Sequence, residues 1–213
     1  MEMIDSYRRL TVGQYEEIQA VDKRTDLEDL DKQVKILSVL SGRPEGDILR
    51  LPIPEYREAV RRSRFLEVSA LDKTGLRPAI AKSYRLGDLV LIPVTDFRKV
   101  TTAQYVDFQT FAPVVDDQPA ALLSVLMVPK GKGYNEGYDI GEVQRAIREH
   151  LTLADAAAVI AFFLLSSRTS IEASLNSLER LARKTKDRTM QDRLTKIRTL
   201  FPGSGAGSPA STQ

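Results

Sequence analysis

Apolar residues along this chain fall mostly at helical spacing, in short runs punctuated by caps and turns. Thr11 stands where an N-cap should, with Gln14 three residues on to complete a capping box. Tyr15, Ile18 and Val21 or Gln19 follow at helical spacing. The acids around Asp26–Asp29 predict a second helix start, with Leu30, Val34, Leu37 and Leu40 or Val39 as its apolar stripe and Ser41-Gly42 as its end. Glu45–Leu49 reads as a short helical turn. Pro54 suits the first turn of a further helix that turns Tyr56, Val60 and Phe65 inward.

Between Phe65 and Val94 the pattern changes. Phe65–Leu71 alternates partially, Asp72–Gly75 is a turn, and Leu86–Pro93 reads as a Gly-Asp turn followed by a β-branched strand. This predicts a small hairpin or two that must lean on helices, because so few strands cannot form a core alone. Helical spacing resumes at Thr101, with Tyr105, Val106, Phe108 and Phe111 apolar. Pro119 opens the next helix, and Pro129–Asp139 (PKGKGYNEGYD) is a glycine-dense loop. Ile140, Val143, Ile147 and Leu151 form an amphipathic stripe. Thr152 then caps a greasy helix, Ala154–Leu165, read as buried. Two more helices are expected, Ser170–Lys184 and Thr189–Phe201, before a low-complexity tail of the disordered type.

The second half repeats the first. LTVGQYEEIQAV (Leu10–Val21) returns as VTTAQYVDFQTF (Val100–Phe111), LSVL at Leu37–Leu40 returns at Leu123–Leu126, and IPEYREAV (Ile53–Val60) returns as IGEVQRAI (Ile140–Ile147). The offsets are 90, 86 and 87 residues, so only loop lengths differ. Duplication preserves what a fold needs. Tyr15 and Tyr105 are therefore expected in equivalent core slots, with Gln14 and Gln104 closing equivalent capping boxes.

Together these patterns give a mainly α protein: two related multi-helix units, a small β-hairpin element between them and a C-terminal helical pair. The expected boundaries are 1–64 for the first unit, 65–97 for the β element, 98–167 for the second unit, 168–201 for the basic helices and 202–213 for the tail.

Composition narrows the chemistry. The 213 residues are 42% hydrophobic and 28% charged, as in an ordinary soluble domain. There is no cysteine, which removes disulfides, thiol catalysis and the usual zinc sites, and a single histidine, His150, leaves no His-rich metal site. The first ten residues carry no signal-like apolar core. The run Leu153–Leu165 is too short to span a bilayer, which needs roughly 20 residues, so no membrane role is expected. Net charge is +2, yet Arg168–Arg198 holds nine basic residues and four acidic ones.

Each candidate site has a plain structural counterpart. The PKGKGYNEGYD loop could cradle a phosphate, but it lacks the G-K-[ST] ending and strand–helix frame of nucleotide loops. A structural or partner-binding loop is the better reading, with Lys130, Lys132, Tyr134 and Tyr138 as its candidate contact residues and the tyrosines also suited to pinning it onto the core. Asp107, Asp116, Asp117, Glu136 and Asp139 fix no catalytic pair by their spacing and read as caps and loop acids. His150, at a helix end, suits the dipole there. No G-x-S-x-G motif occurs. The basic segment, with Arg183 and Arg193 as candidate contacts, could neutralise phosphates, but acids intrude and aromatics are few. A solvated face or a surface for an acidic partner fits better than nucleic acid. No enzyme activity, cofactor or metal is expected.

The words LTVGQYEEIQ, ILSVLSG, LPIPEY, VTTAQYVDFQTF, LLSVLMVPKGKGYNEGYDI and FFLLSS resemble a tailed-phage tail assembly chaperone, of the type in phages of Bacteroidetes. The resemblance covers about Leu10–Ser167. It implies a small helical, non-enzymatic factor that binds the tape measure protein in the host cytoplasm, helps recruit tail tube subunits and is absent from the virion. This chain departs from the simplest members in carrying two helical units and a β insertion. A structural virion or tail-connector component is the first alternative, and a nucleic-acid-binding regulator using Arg168–Arg198 the second. The loop and the greasy helix, present only in the second copy, are where the partner surface is expected.

Overall fold

Thr11 caps the first helix as its spacing predicts. The Gln14 amide donates to Thr11 Oγ1 (3.2 Å), and Gln14 Oε1 accepts from the Thr11 amide (3.0 Å). Helix α1 then runs Val12–Asp22 and α2 runs Asp29–Ser41, stopping at Gly42 in the left-handed region (φ 65°) where a side chain would be strained. The short α3 (Glu45–Leu49) and α4 (Ile53–Ser63, with Pro54 in its first turn) complete the first repeat. A computed structural model of the chain describes residues 2–67, 80–96 and 99–163. The predicted turn at Asp72–Gly75, the helices expected at 170–184 and 189–201, Arg183, Arg193 and the low-complexity tail lie outside the described residues.

Where alternation suggested a strand from Phe65, the chain instead makes a 3-10 turn, Arg64–Glu67. It continues α4, so Tyr7 and Phe65 meet edge-on with centroids 5.1 Å apart. The hairpin lies further on. Strands β1 (Tyr84–Leu86) and β2 (Leu89–Pro93) pair antiparallel around Gly87-Asp88, with Leu86 opposite Leu89. Gly87 has φ 60° while Asp88 does not have positive φ, the combination a type II′ turn requires.

The second repeat follows the same plan. Thr101 caps α5 (Thr102–Phe111), Pro119 starts α6 (Pro119–Leu126), and Asp139 caps α7 (Ile140–His150) by accepting from the Gly141 amide at 2.8 Å. A strand not expected from the sequence, β3 (Met127–Pro129), leaves α6 directly and pairs antiparallel with β2, giving the order β1-β2-β3. Helix α8 spans described residues 153–163. The architecture is thus mainly helical with a small three-stranded antiparallel sheet, as the pattern predicts. The two repeats do not form separate bodies: Met1–Phe163 is one compact unit with one hydrophobic core.

At the centre of that core is α6. All eight of its residues are buried. Such a short helix leaves orphan amides and carbonyls at both ends, and neighbours meet them. At its N-terminus Glu16 of α1 accepts from the Ala120 amide (3.0 Å), and its other oxygen accepts from Arg148 Nε of α7 (2.6 Å). At its C-terminus Gln104 Nε2 donates to the Val125 carbonyl (2.6 Å) and the Val94 amide to the Leu126 carbonyl (2.9 Å). Gln104 therefore closes no capping box, unlike Gln14. The buried carbonyl of Val125 competes successfully for its side chain.

The N-terminal segment makes a second bridge between the repeats. The Leu153 and Ala154 amides, at the start of α8, donate to the carbonyls of Leu10 (2.8 Å) and Tyr7 (3.2 Å), while Thr152 Oγ1 accepts from the Asp155 amide. In return the Val12 amide donates to the Leu151 carbonyl at 3.0 Å. Gly13 lies so close to α7 that a Cβ there would sit 2.9 Å from the Arg148 carbonyl oxygen.

Two stability predictions follow from this junction. Replacing Glu16 by Ala removes a helix cap and a charged partner at a site only 15% exposed, and should cost about 2 kcal/mol in urea unfolding. Gly13→Ala, which helix propensity alone would favour by up to about 1 kcal/mol, should instead destabilise by about 1–3 kcal/mol through overpacking against backbone. A stabilised Gly13→Ala protein would contradict the close approach of α1 to α7.

Candidate partner-binding surface

The glycine-dense loop between β3 and α7 is held by its own residues. The Lys132 amide donates to the Pro129 carbonyl (3.0 Å) and the Glu136 amide to the Gly133 carbonyl (3.1 Å), while the Glu136 carboxylate accepts from the Gly133 amide (3.2 Å). Left-handed backbone at Gly131, Asn135 and Gly137 lets it reverse direction in so few residues. An anion at this loop would meet a carboxylate already using one of its amides, which adds a physical reason to the missing nucleotide-loop frame.

Both tyrosines of the loop are half-buried against the core. Tyr134 donates from its hydroxyl to Asp107 Oδ2 of α5 at 2.6 Å, and Tyr138 accepts from the Asn135 amide at 3.3 Å. Burial, then the hydrogen bond to Asp107 and that residue's negative charge, push the Tyr134 hydroxyl's pKa well above the ordinary tyrosine value. The tyrosines thus pin the loop. Lys130 and Lys132, by contrast, are exposed. The structure brings these four candidates into one loop beside α5.

The acids scatter as caps and loop partners. Asp107 serves Tyr134, Asp117 pairs with Lys23 of α1, Glu136 serves its own loop and Asp139 caps α7. Among the described residues no group of His, Cys, Asp and Glu could hold a metal ion, and no buried side-chain polar atom lacks a partner. His150 and Arg148 occupy the last turn of α7, where positive charge suits the dipole. No described helix is long and apolar enough to cross a membrane.

Helix α8 is core, not surface. Leu153, Ala156, Ala157, Ala158, Val159, Ile160 and Phe163 are buried, and Phe163 meets Phe108 of α5 at 5.9 Å. The described part of the second copy's greasy helix, residues 154–163, is therefore largely packed into the core, and 164–165 lie outside the described residues. Among the described residues the large exposed hydrophobic groups lie elsewhere, in two sets. Leu30, Leu49 and Ile53, at 57%, 67% and 68% exposure, belong to the first repeat; Tyr105, Val106 and Val114 belong to α5 and the 3-10 turn after it (Ala112–Val114). Leu30 was expected inside the α2 stripe and is instead out in solvent, because it stands in the first turn of α2, beyond the reach of the core that takes Val34, Leu37 and Leu40. Tyr105 is exposed while Tyr15 is half-buried, so the pair does not fill equivalent slots. Ile18 and Phe108, buried in α1 and α5, are the equivalent core residues.

Tyr56 of α4 donates its hydroxyl to Gln33 of α2 at 2.8 Å. Seven residues after Gln33, the Leu40 carbonyl accepts from Ile4; six residues after Tyr56, Arg62 reaches the neighbouring Met3 carbonyl. Leu30 and Ile53 each lie three residues before a member of the bonded pair Gln33–Tyr56. Leu49 stands just ahead of Pro52, which caps α4. Sequence periodicity could not find these exposed groups, since Leu30 matches the stripe and Ile53 looks like part of a core-facing helix.

Replacing Tyr134 by Phe should loosen the loop without unfolding the core. The expected cost is about 1 kcal/mol, with faster proteolytic nicking within 130–138. Because the folded-state pKa of Tyr134 is raised, its contribution is present at neutral pH and lost as pH rises above about 10, where the unfolded tyrosine ionises. The substitution should reduce that alkaline loss of stability, read by denaturant unfolding at successive pH values. Compared with protein-family models, with curated proteins and with solved structures, the chain finds no match.

Proposed function

We propose that this protein is a tail assembly chaperone of the kind its sequence resembles. It would bind the tape measure protein in the host cytoplasm and recruit tail tube subunits, by reversible association and without chemistry of its own. The observation that supports this reading is the exposure of three large aliphatic side chains of the first repeat, Leu30, Leu49 and Ile53. Each is more than half exposed, and exposed aliphatic groups of this kind are what an amphipathic client helix covers. Fully burying such side chains contributes roughly 1.5–3 kcal/mol each before the costs of association. So few apolar groups hold a client weakly and need further contacts, which suits a factor that must let go.

The test is co-expression with fragments of the tape measure protein. The wild-type chain should keep a fragment soluble and co-purify with it, and Leu49→Asp or Ile53→Asp should weaken capture at least about tenfold. Both positions are exposed, so circular dichroism should be unchanged. The protein should be absent from purified particles. Capture of neither tape measure nor tail tube protein overturns the reading; a fixed copy number in particles replaces it with a structural tail component.

A further inference from the structure

The two repeats correspond in their contacts as well as in sequence. The Ile4 amide donates to the Leu40 carbonyl at 2.9 Å, and the Val94 amide to the Leu126 carbonyl at 2.9 Å. These two bonds are related by the same offsets, 90 and 86 residues, that relate α1 to α5 and the two LSVL segments. In one respect the correspondence fails. Helix α1 packs on α6 and α7 of the other repeat, whereas α5, its counterpart, makes no comparable contact with α2 or α4. The consequence shows residue by residue. In α1, Val12 is buried and Tyr15, Glu16 and Gln19 are half-buried; in α5, Thr102, Tyr105, Val106 and Gln109 at the same positions are all exposed. Three and four residues apart, these four share one face of α5, and that face carries no charge. A solvated helix face ordinarily carries charged groups, whereas charge-poor, tyrosine-bearing surface is characteristic of interfaces.

The first repeat is altered to match. At the internal junction the charges of Asp116 and Asp117 bear on the Tyr15 hydroxyl, Lys23 pairs with Asp117, and the Ala120 amide donates to Glu16. The 86-residue offset makes Leu30 the counterpart of Asp116, and Leu30 is 57% exposed. Val106, the counterpart of Glu16, is 56% exposed. On each open side, therefore, an acid of the junction has given way to an exposed aliphatic residue. Arg61, which the 87-residue offset equates with Arg148, needs no acid from α5, because Glu58 already accepts from it at 2.8 Å. We infer that α5 of one chain docks beside Leu30 on the first repeat of a second copy, so that the junction α1 makes within the chain recurs between chains. The donor and acceptor faces differ, so the contact is heterologous and runs head to tail, as in a repeat array whose end faces are uncapped. Ala103 stands where α1 has Gly13, which keeps α5 further from its acceptor than α1 lies from α7. The contact is accordingly looser than the internal one. One helix face also offers well under the roughly 800 Å² per partner of a stable interface, so association is weak and rises with concentration.

The experiment is sedimentation velocity on the full chain over a wide concentration range. The wild-type sedimentation coefficient should rise with concentration, and Val106→Asp on the donor face or Leu30→Asp on the acceptor face should each hold the chain monomeric. Tyr105→Ser should weaken association severalfold without adding a charge. All three positions are exposed, and urea unfolding verifies the fold of each variant. Mixing is the decisive step. The Val106→Asp chain keeps an intact acceptor and the Leu30→Asp chain an intact donor, so an equal mixture should form a dimer and stop there. A wild-type chain that stays monomeric up to about 1 mM overturns the inference. So does association that survives Leu30→Asp, since α5 then pairs with itself or with another surface. A mixture of the two variants that remains monomeric, or that grows beyond a dimer, overturns it as well. No tape measure protein enters the experiment, so its outcome and that of the chaperone test are independent.

Discussion

The second repeat folds around helix ends that the first repeat satisfies. Helix α6 is buried on every side, and eight residues is too short for a helix to hold itself in water. Its first turn is met by Glu16, and the first amides of α8 by the carbonyls of Tyr7 and Leu10. A buried helix end without partners would cost more than its apolar burial could readily offset. The exchange of caps is therefore what lets two copies of a short helical unit form one core. It also fixes their register, because Gly13 must lie against the Arg148 backbone for Glu16 to reach both Ala120 and Arg148.

Seen this way, the differences between the copies have causes. Thr11 and Thr101 keep the same capping role because any α-helix starting there needs it. Gln14 closes its box, whereas Gln104 is drawn away to the Val125 carbonyl, which no other described side chain reaches. Glu16 is a carboxylate because it faces two donors across the junction. Its counterpart ninety residues on, Val106, faces solvent. Duplication kept the caps and cores that each copy needs alone, and the junction residues diverged because only one copy of α1 can occupy it.

Local signals accordingly carried most of the fold. Thr11 with Gln14, Gly42, Gly87-Asp88, Pro119 and Thr152 each act within a few residues of themselves, and each is found where its chemistry puts it. What escaped was long-range. Glu16 looks like any solvated helical acid until α6 and α7 are folded against it. Met127–Pro129 reads as the end of a helix until β2 offers an edge. Leu30 fits a helical stripe by spacing, yet periodicity cannot say where along α2 the core stops. Helix α8 is buried as its run of apolar residues suggests, and hydrophobicity alone is the signature of core and docking face alike.

Burial in the two copies does not simply follow their composition. The second copy spends much of its apolar character internally: α6 and described residues 153–163 of α8 are largely buried, α7 packs one face inward, and Tyr134 ties the loop to α5, while Tyr105, Val106 and Val114 stay exposed. In the first copy α2 gives Val34, Leu37 and Leu40 to the core but is longer than α6, and its first turn leaves Leu30 exposed. An apolar residue inside a core has its partners chosen already. One in the exposed first turn of a helix, like Leu30, has them still to meet.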